Sequence, residues 1–326
     1  MKKYYKKLLE QSDSFFAKIN KYVFYNKTVS NTNDITCQSA VSKGKNGTKK
    51  RTKGAIRLTV ILFFNIIDKG MVSTWGIDFT KVYGLLGFDI EGGRMIDFHS
   101  HVLPGIDDGS DCVEESLEML HTAKNQGVST MLATPHFYAQ DVSVDHFLEK
   151  RKKAYDTLKR CMDDSDCPDI RLGAEVCYFR GIGRAREIEK LCIEGTRVIM
   201  VELPFRQWDE EVLQDVEELM EKQKVSVMLA HIERFYAYQK RKKIWKEVLD
   251  LPVIFQVNAE FFDGRKKRKL IKKLVEENRP VVLGSDCHNT DRRKPNLDMG
   301  YSFIREKIGQ NAVDEIEKVS VEILEK

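Results

Sequence analysis

No C-x-x-C pair occurs among the seven cysteines of this 326-residue chain. No secretory signal precedes them either: Met1–Lys18 carries basic residues with no continuous apolar core behind them. The cysteines therefore read as reduced thiols of a cytoplasmic protein. The longest apolar run, Leu58–Ile67 (LTVILFFNII), falls well short of the about 20 residues of a membrane span. It reads as a buried strand or, failing that, an interfacial segment. A broad basic surface is missing as well. The net charge of +4 conceals a basic arm, since residues 1–53 hold 13 Lys and Arg against Glu10, Asp13 and Asp34. That surplus of ten leaves the rest of the chain at −6, so a nucleic-acid groove over the main body is not expected. The arm reads as a solvated tail. Hairpin turns are also lacking between the apolar runs after residue 94, which excludes an antiparallel meander.

The sequence changes character at Met95. Residues 1–94 form a basic N-terminal extension without assignable fold, and 26–53, rich in Lys, Asn, Ser and Thr, reads as a segment of low order. Glu91-Gly92-Gly93 back-translates to a purine-rich stretch like a bacterial ribosome-binding site. The expectation is that Met95 is a natural start and that 1–94 is in whole or part an over-extended reading frame. N-terminal sequencing of the native protein tests this.

From 95 to 326 strands and helices alternate, and parallel strands follow. Seven strand segments stand out, and six end in metal-type ligands. Met95–His101 ends in His99 and His101, and Val128–His136 in His136. Asp169–Glu175 ends in Glu175, Val198–Glu202 in Glu202, and Val225–His231 in His231. Val281–His288 ends in Asp286 and His288, while Val253–Asn258 ends in Asn258. Chemistry in parallel barrels gathers at the carboxyl ends of strands. The expected fold is α/β, a distorted seven-stranded (β/α)7 TIM-like barrel with these residues on one rim.

In extended chain, residues i and i+2 face the same way, so His99 and His101 can hold one ion, and Asp286-Cys287-His288 repeats the geometry. Mixed imidazole and carboxylate ligands suit manganese, iron or zinc better than magnesium. Ions about 3.5–4 Å apart can activate water and clamp a phosphoryl group. Singly, each residue is more readily a hydrogen-bonded surface group. The joint pattern carries the weight: five of the seven histidines fall at strand ends. His121 and His146 fall in helices and read as structural.

The run Met-Ile-Asp-Phe-His-Ser-His-Val-Leu-Pro-Gly-Ile-Asp-Asp-Gly (95–109) resembles the opening of the PHP superfamily. More narrowly, it resembles the bacterial protein-tyrosine phosphatases encoded with capsule and exopolysaccharide genes, the CpsB/YwqE type. Ala133-Thr134-Pro135-His136, Gly173-Ala174-Glu175, Val201-Glu202-Leu203-Pro204, Ala230 to Phe235 and Gly284 to Asn289 agree in order, so the resemblance covers about 95–326. It implies a PHP fold holding three divalent ions, Mn2+ before Fe or Zn. It further implies that His99, His101, Glu175 and Asp286 hold the first ion. Glu175, Glu202 and His231 would hold the second, and Asp108, His136 and His288 the third. Arg234, with Arg293 as a second candidate, would grip phosphate oxygens, and Asp108 joins them as a catalytic candidate. The implied reaction is phosphotyrosine hydrolysis by direct in-line attack. The implied partner is the tail of a tyrosine kinase controlling capsule or exopolysaccharide synthesis.

Three readings compete. Cys287 and Arg293 have the C-x5-R spacing of thiolate phosphatases, but the loop between them has no glycine and contains Asp291, which would repel phosphate. A small-molecule phosphatase, for example on histidinol phosphate, or a phosphodiesterase stays within the superfamily. A degenerate barrel acting as a scaffold is the non-enzymatic alternative, and the full ligand set argues against it. The basic runs Lys240–Lys243 and Arg265–Lys269 read first as solvated helix faces and second as recruiters of an acidic phosphotyrosine tail.

Overall fold

Strands rich in Val, Ile, Leu and Met are buried on both faces when helices return the chain over them, and the parallel pairing here follows from that. The computed structural model describes residues 95–261 and 264–325, all within a unit spanning Thr80–Lys326. The expectations for 1–94, including the low-order segment, the Leu58–Ile67 strand and the start at Met95, lie outside these residues.

The strands are β1 (Met95–Ser100), β2 (Val128–Ala133), β3 (His136–Phe137), β4 (Asp169–Leu172), β5 (Glu175–Cys177), β6 (Val198–Glu202), β7 (Ser226–Leu229), β8 (Ile254–Asn258) and β9 (Val281–Gly284). The helices are α1 (Val113–Asn125), α2 (Val144–Lys159), α3 (Glu210–Lys222), α4 (Ile232–Phe235), α5 (Lys242–Asp250), α6 (Arg265–Glu276), α7 (Leu297–Lys307) and α8 (Gln310–Leu324). All strand pairs are parallel. One sheet runs β1-β2-β4 and the other β3-β5-β6-β7-β8-β9.

Among the described residues the strand count is nine where seven segments were expected, because two segments break. Pro135 has no N–H to continue the ladder between β2 and β3, and Gly173-Ala174 interrupts β4 and β5. Single bonds bridge the breaks: the Thr134 N–H donates to Ser100 O, the Gly173 N–H to Ala133 O, and the Glu175 N–H to Pro135 O. The two ends of the strand series meet where the His101 N–H donates to Cys287 O at 2.9 Å and the Asp286 N–H to His99 O at 2.7 Å.

Alternate strand residues feed two apolar layers. Ile199, Val201, Val227, Leu229 and Leu283 pack with residues of the helices. Phe98, Leu132, Met200, Met228 and Val282 pack with Ile323 and Leu324 of α8. Helix starts follow local chemistry. Asp209 caps α3 by accepting the Val212 N–H, and Ser143 caps α2 by accepting the His146 N–H. Ser110 and Asp111 stand just ahead of α1, yet neither holds its N-cap position. Cys112 holds the N-cap position of α1 without a side-chain bond, while the Ser110 hydroxyl donates to Cys112 O and accepts from the Ser116 hydroxyl. Among the described residues no helix is long and apolar enough to cross a membrane, and the six cysteines there are unpaired.

Candidate metal centre

The strand ends deliver their side chains to one buried cluster centred on Glu175, the first residue of β5. Its Oε2 lies 3.1 Å from His99 Nε2, 3.3 Å from His101 Nε2 and 3.0 Å from His136 Nδ1. Its Oε1 lies 2.8 Å from His231 Nε2, which is 3.2 Å from Glu202 Oε1. Asp286 Oδ1 stands 3.7 Å from His99 Nε2 and 3.6 Å from His101 Nε2. Asp108 Oδ1 stands 3.4 Å from His136 Nε2 and 3.5 Å from His288 Nε2. The structure thus brings together all nine residues singled out as ligands. Ligand atoms fall within 4.8 Å of one another in three groups: His99, His101 and Asp286; His136, Glu175 and Glu202; His101, Asp108, His136 and His288. The expected sets differ in detail, since His136 also leans on Glu175 and His101 also borders the third group.

Backbone geometry at the rim is costly and therefore informative. His231 has φ 28° and Asp286 φ 53°, both in the left-handed region. The loop carrying Asp107 and Asp108 folds onto β1 so closely that a Cβ at Gly109 would fall 2.2 Å from His101 O. A Cβ at Gly284 would fall 2.5 Å from His99 Cβ. Only glycine permits either approach.

Residues not anticipated from sequence aim the ligands. Gln256 Oε1 accepts from His99 Nδ1 at 3.0 Å and from the His231 N–H at 2.6 Å. Asp107 Oδ2 accepts from His101 Nδ1 at 2.7 Å and from the His136 N–H at 2.9 Å. Asn258, the strand end without a ligand, donates to Asp286 Oδ2 at 2.8 Å. These partners engage Nδ1 of His99 and His101, so the two Nε2 atoms face each other at 3.2 Å beside two carboxylates. Such an array needs a cation. Ligands about 2.1 Å from an ion and at right angles lie about 3.0 Å apart, close to the spacings around Glu175 Oε2. His231 Nδ1 and His288 Nε2 are buried without a hydrogen-bond partner, and for His288 the bare atom faces the cluster. The donor set therefore fits borderline divalent ions.

The charges agree. Burial alone would lower His101, but the Asp107 and Glu175 carboxylates push it up to about 10. His231 is likewise driven against burial to about 9 by Glu175 and Glu202. Burial would raise Glu175, but its imidazole neighbours hold it well below the usual range. Protons supply the positive charge that ions would bring. His288 goes the other way, to about 4, through burial and the nearby His101.

Arg234 and Arg293 both reach Asp286, Nη2 to Oδ2 at 2.7 Å and Nη2 to Oδ1 at 2.7 Å. Each remains part-exposed at the rim, with further N–H donors to offer. Cys287 is fully buried in the core and burial pushes its thiol up, while Arg293 binds Asp286. The C-x5-R spacing therefore assembles no thiolate site. Aromatic rings flank the cluster: exposed Phe205 stacks on His231 with centroids 5.8 Å apart, exposed Tyr238 stands edge-on to Phe205, and part-buried Tyr138 lies 5.4 Å from the His136 ring. Tyr138, His136 and Asp108 line a cavity of about 490 Å3, and His146, read from sequence as structural, lines it too.

The family model for capsular polysaccharide synthesis, CpsB/CapC, matches residues 95–323. The chain belongs to that family. The tyrosine-protein phosphatase CpsB of Streptococcus pneumoniae is 27% identical over 237 residues, covering 68% of this chain and 94% of that protein. The tyrosine-protein phosphatase YwqE of Bacillus subtilis is 26% identical over 203 residues, covering 61% and 79%. Among solved structures, a match from a study of YwqE and CpsB, described as metal-dependent tyrosine phosphatases, has a TM-score of 0.59 at 20% identity, covering 71% of this chain and 94% of that one. That likeness establishes an α/β fold shared with this CpsB/CapC member.

Proposed function

We propose that this chain is a metal-dependent protein-tyrosine phosphatase of a distorted seven-stranded barrel, acting on the phosphotyrosine tail of a tyrosine kinase that regulates capsule or exopolysaccharide synthesis. The observation that carries it is the array around Glu175, where four imidazoles meet one buried carboxylate beside two arginines. His99, His101, Glu175 and Asp286 would hold one ion, Glu175, Glu202 and His231 a second, and Asp108, His136 and His288 a third, with Mn2+ preferred over Fe or Zn. Such ions supply Lewis acidity at the phosphoryl oxygens and a nucleophile at neutral pH.

The chain's own groups do the rest. Arg234 and Arg293 offer forked N–H donors to the equatorial oxygens, where charge is concentrated in the transition state. Asp286 orients both forks. Asp108, the most exposed carboxylate of the cluster at 64%, would hold the third ion at the open edge of the site, and the departing phenolate, whose pKa is near 10, asks for only modest help. Phe205 and Tyr238 present an apolar shelf suited to an aryl ester, which favours phosphotyrosine over histidinol phosphate or a nucleotide diester.

The test pairs elemental analysis with turnover of a phosphotyrosine peptide before and after chelation, alongside histidinol phosphate and a diester. The expected result is bound divalent metal, peptide turnover abolished by chelator and restored by Mn2+, and weak turnover of the other two. Purified protein free of metal, or turnover indifferent to chelation, overturns it.

A further inference from the structure

The two basic runs of the sequence, far apart in the chain, line one cavity. Arg234, Lys240, Lys242, Arg265, Lys266 and Lys267 surround about 570 Å3 of open space, between the start of α5 and the start of α6. Arg234 belongs to both places, since its guanidinium also lies on Asp286 in the ligand cluster. Among the described lining residues the acid is Glu233, which is buried and lies beside His231, Arg234 and Lys267.

The cavity is arranged for an anion. Lys242 is fixed over the Tyr236 ring, Nζ 3.8 Å from its centroid, and donates to Tyr236 O at 3.3 Å; Lys266 Nζ approaches the same ring at 6.0 Å. Burial, and after it the nearby Lys266 ammonium, lower Lys242. The first turn of α6 contributes no acid and Gly264 provides no side-chain cap, so the helix dipole adds to the positive field. A solvated helix face would spread its cations around the helix. Here cations of two helices converge beside a proposed phosphate-gripping arginine.

We propose that this cavity is a second anion subsite, taking a phosphate or carboxylate carried by the substrate chain a few residues from the phosphotyrosine being hydrolysed. The inference rests on the phosphatase reading above. The two sites are joined by one arginine side chain, a span that about two or three residues of extended peptide cover at about 3.3 Å each.

The experiment compares three peptides on the metal-loaded protein: one phosphotyrosine with neutral neighbours, the same with glutamates three residues away on either side, and the same with a second phosphotyrosine there. A small aryl phosphate is the reference. The anionic peptides should show kcat/KM about tenfold above the neutral one, the value of one charge-assisted contact. The advantage should fade as salt shortens the screening length from about 10 Å towards about 3 Å. In the exposed-lysine variant K240A/K266A it should fall to near one, with the small aryl phosphate still turned over. Which anionic peptide gains more identifies the source of the anion. Equal kcat/KM for all three peptides, or an advantage that survives in the variant, overturns the subsite alone. No turnover of the small aryl phosphate strikes the phosphatase reading as well.

Discussion

Asp107 Oδ2 sits 2.7 Å from His101 Nδ1, and this contact sets which nitrogen His101 turns to the cluster. With Nδ1–H donated, Nε2 is left to face Glu175 and Asp286. Burial would raise Asp107, but His101 holds it at about 2, so the acceptor stays ionised. Asp107→Ala frees the ring and removes the acceptor of the His136 N–H. Metal affinity should fall about 10- to 100-fold, the usual effect of losing such an orienting partner. Metal titration against a chelating indicator measures it; an unchanged affinity would show that the contact does not aim the ligand.

Metal uptake should depend on pH with a defined sign. In the metal-free fold His101 is raised to about 10 and His231 to about 9, above the ordinary imidazole value near 6.5. Their protons stabilise the metal-free fold fully below about pH 6.5, and that contribution is lost as pH rises through about 9 to 10. Metal competes for the same nitrogens, so binding releases protons and strengthens as pH rises. The increase in Tm caused by Mn2+ should therefore grow from about pH 6 to about pH 9. Melting curves with and without metal decide it, and an increment shrinking with pH contradicts the ligand assignment.

Cys287→Ser separates metal from thiolate chemistry. The thiol is buried and its Arg293 neighbour serves Asp286, so turnover per metal-loaded protein should stay within about twofold. Stability should drop by about 1–3 kcal/mol, because a hydroxyl replaces a thiol in an apolar setting. Abolished turnover with metal still bound would restore the cysteine route.

Much of this centre was legible because parallel strands put their last residues on one rim, and i, i+2 spacing turns His99 and His101 the same way. The orienting residues were less visible. Gln256 is an ordinary polar residue in mid-strand; only the fold places β8 against His99. Asp107 and Asp108 are adjacent in an Asp-Asp-Gly turn, and nothing local says that one orients an imidazole while the other faces solvent. The break at Thr134-Pro135 could have been read from proline's missing donor, but the interruption at Gly173-Ala174 depends on tertiary pairing.

Arg234 and Arg293 approach the same carboxylate from two elements, each 2.7 Å from one Asp286 oxygen. Neither is a ligand, so Arg234→Ala and Arg293→Ala should retain metal while losing charge stabilisation. A drop of about 10²–10³ in kcat/KM is expected for each, the typical cost of removing one donor to a developing oxyanion. Lysine should rescue only part, since it lacks the fork. Metal content measured beside kinetics is the check; metal lost in parallel with activity would reassign these residues to support of Asp286.

Phe205 is 43% exposed, unusual for a large apolar ring, and its stacking on His231 sets it beside the ligand cluster. A substrate with an aryl leaving group can extend that stack, whereas an alkyl phosphate cannot. An aromatic contact contributes about 0.5–1.5 kcal/mol beyond area burial, which corresponds to about 2- to 12-fold in affinity. Phe205→Ala should therefore raise KM for phosphotyrosine peptides by that factor. Turnover of glycerol phosphate and the metal content should hold steady. Equal losses for aryl and alkyl substrates would mean that the ring only buttresses His231, and the source of aryl preference would then have to be sought at Tyr138, which lies against the His136 ring.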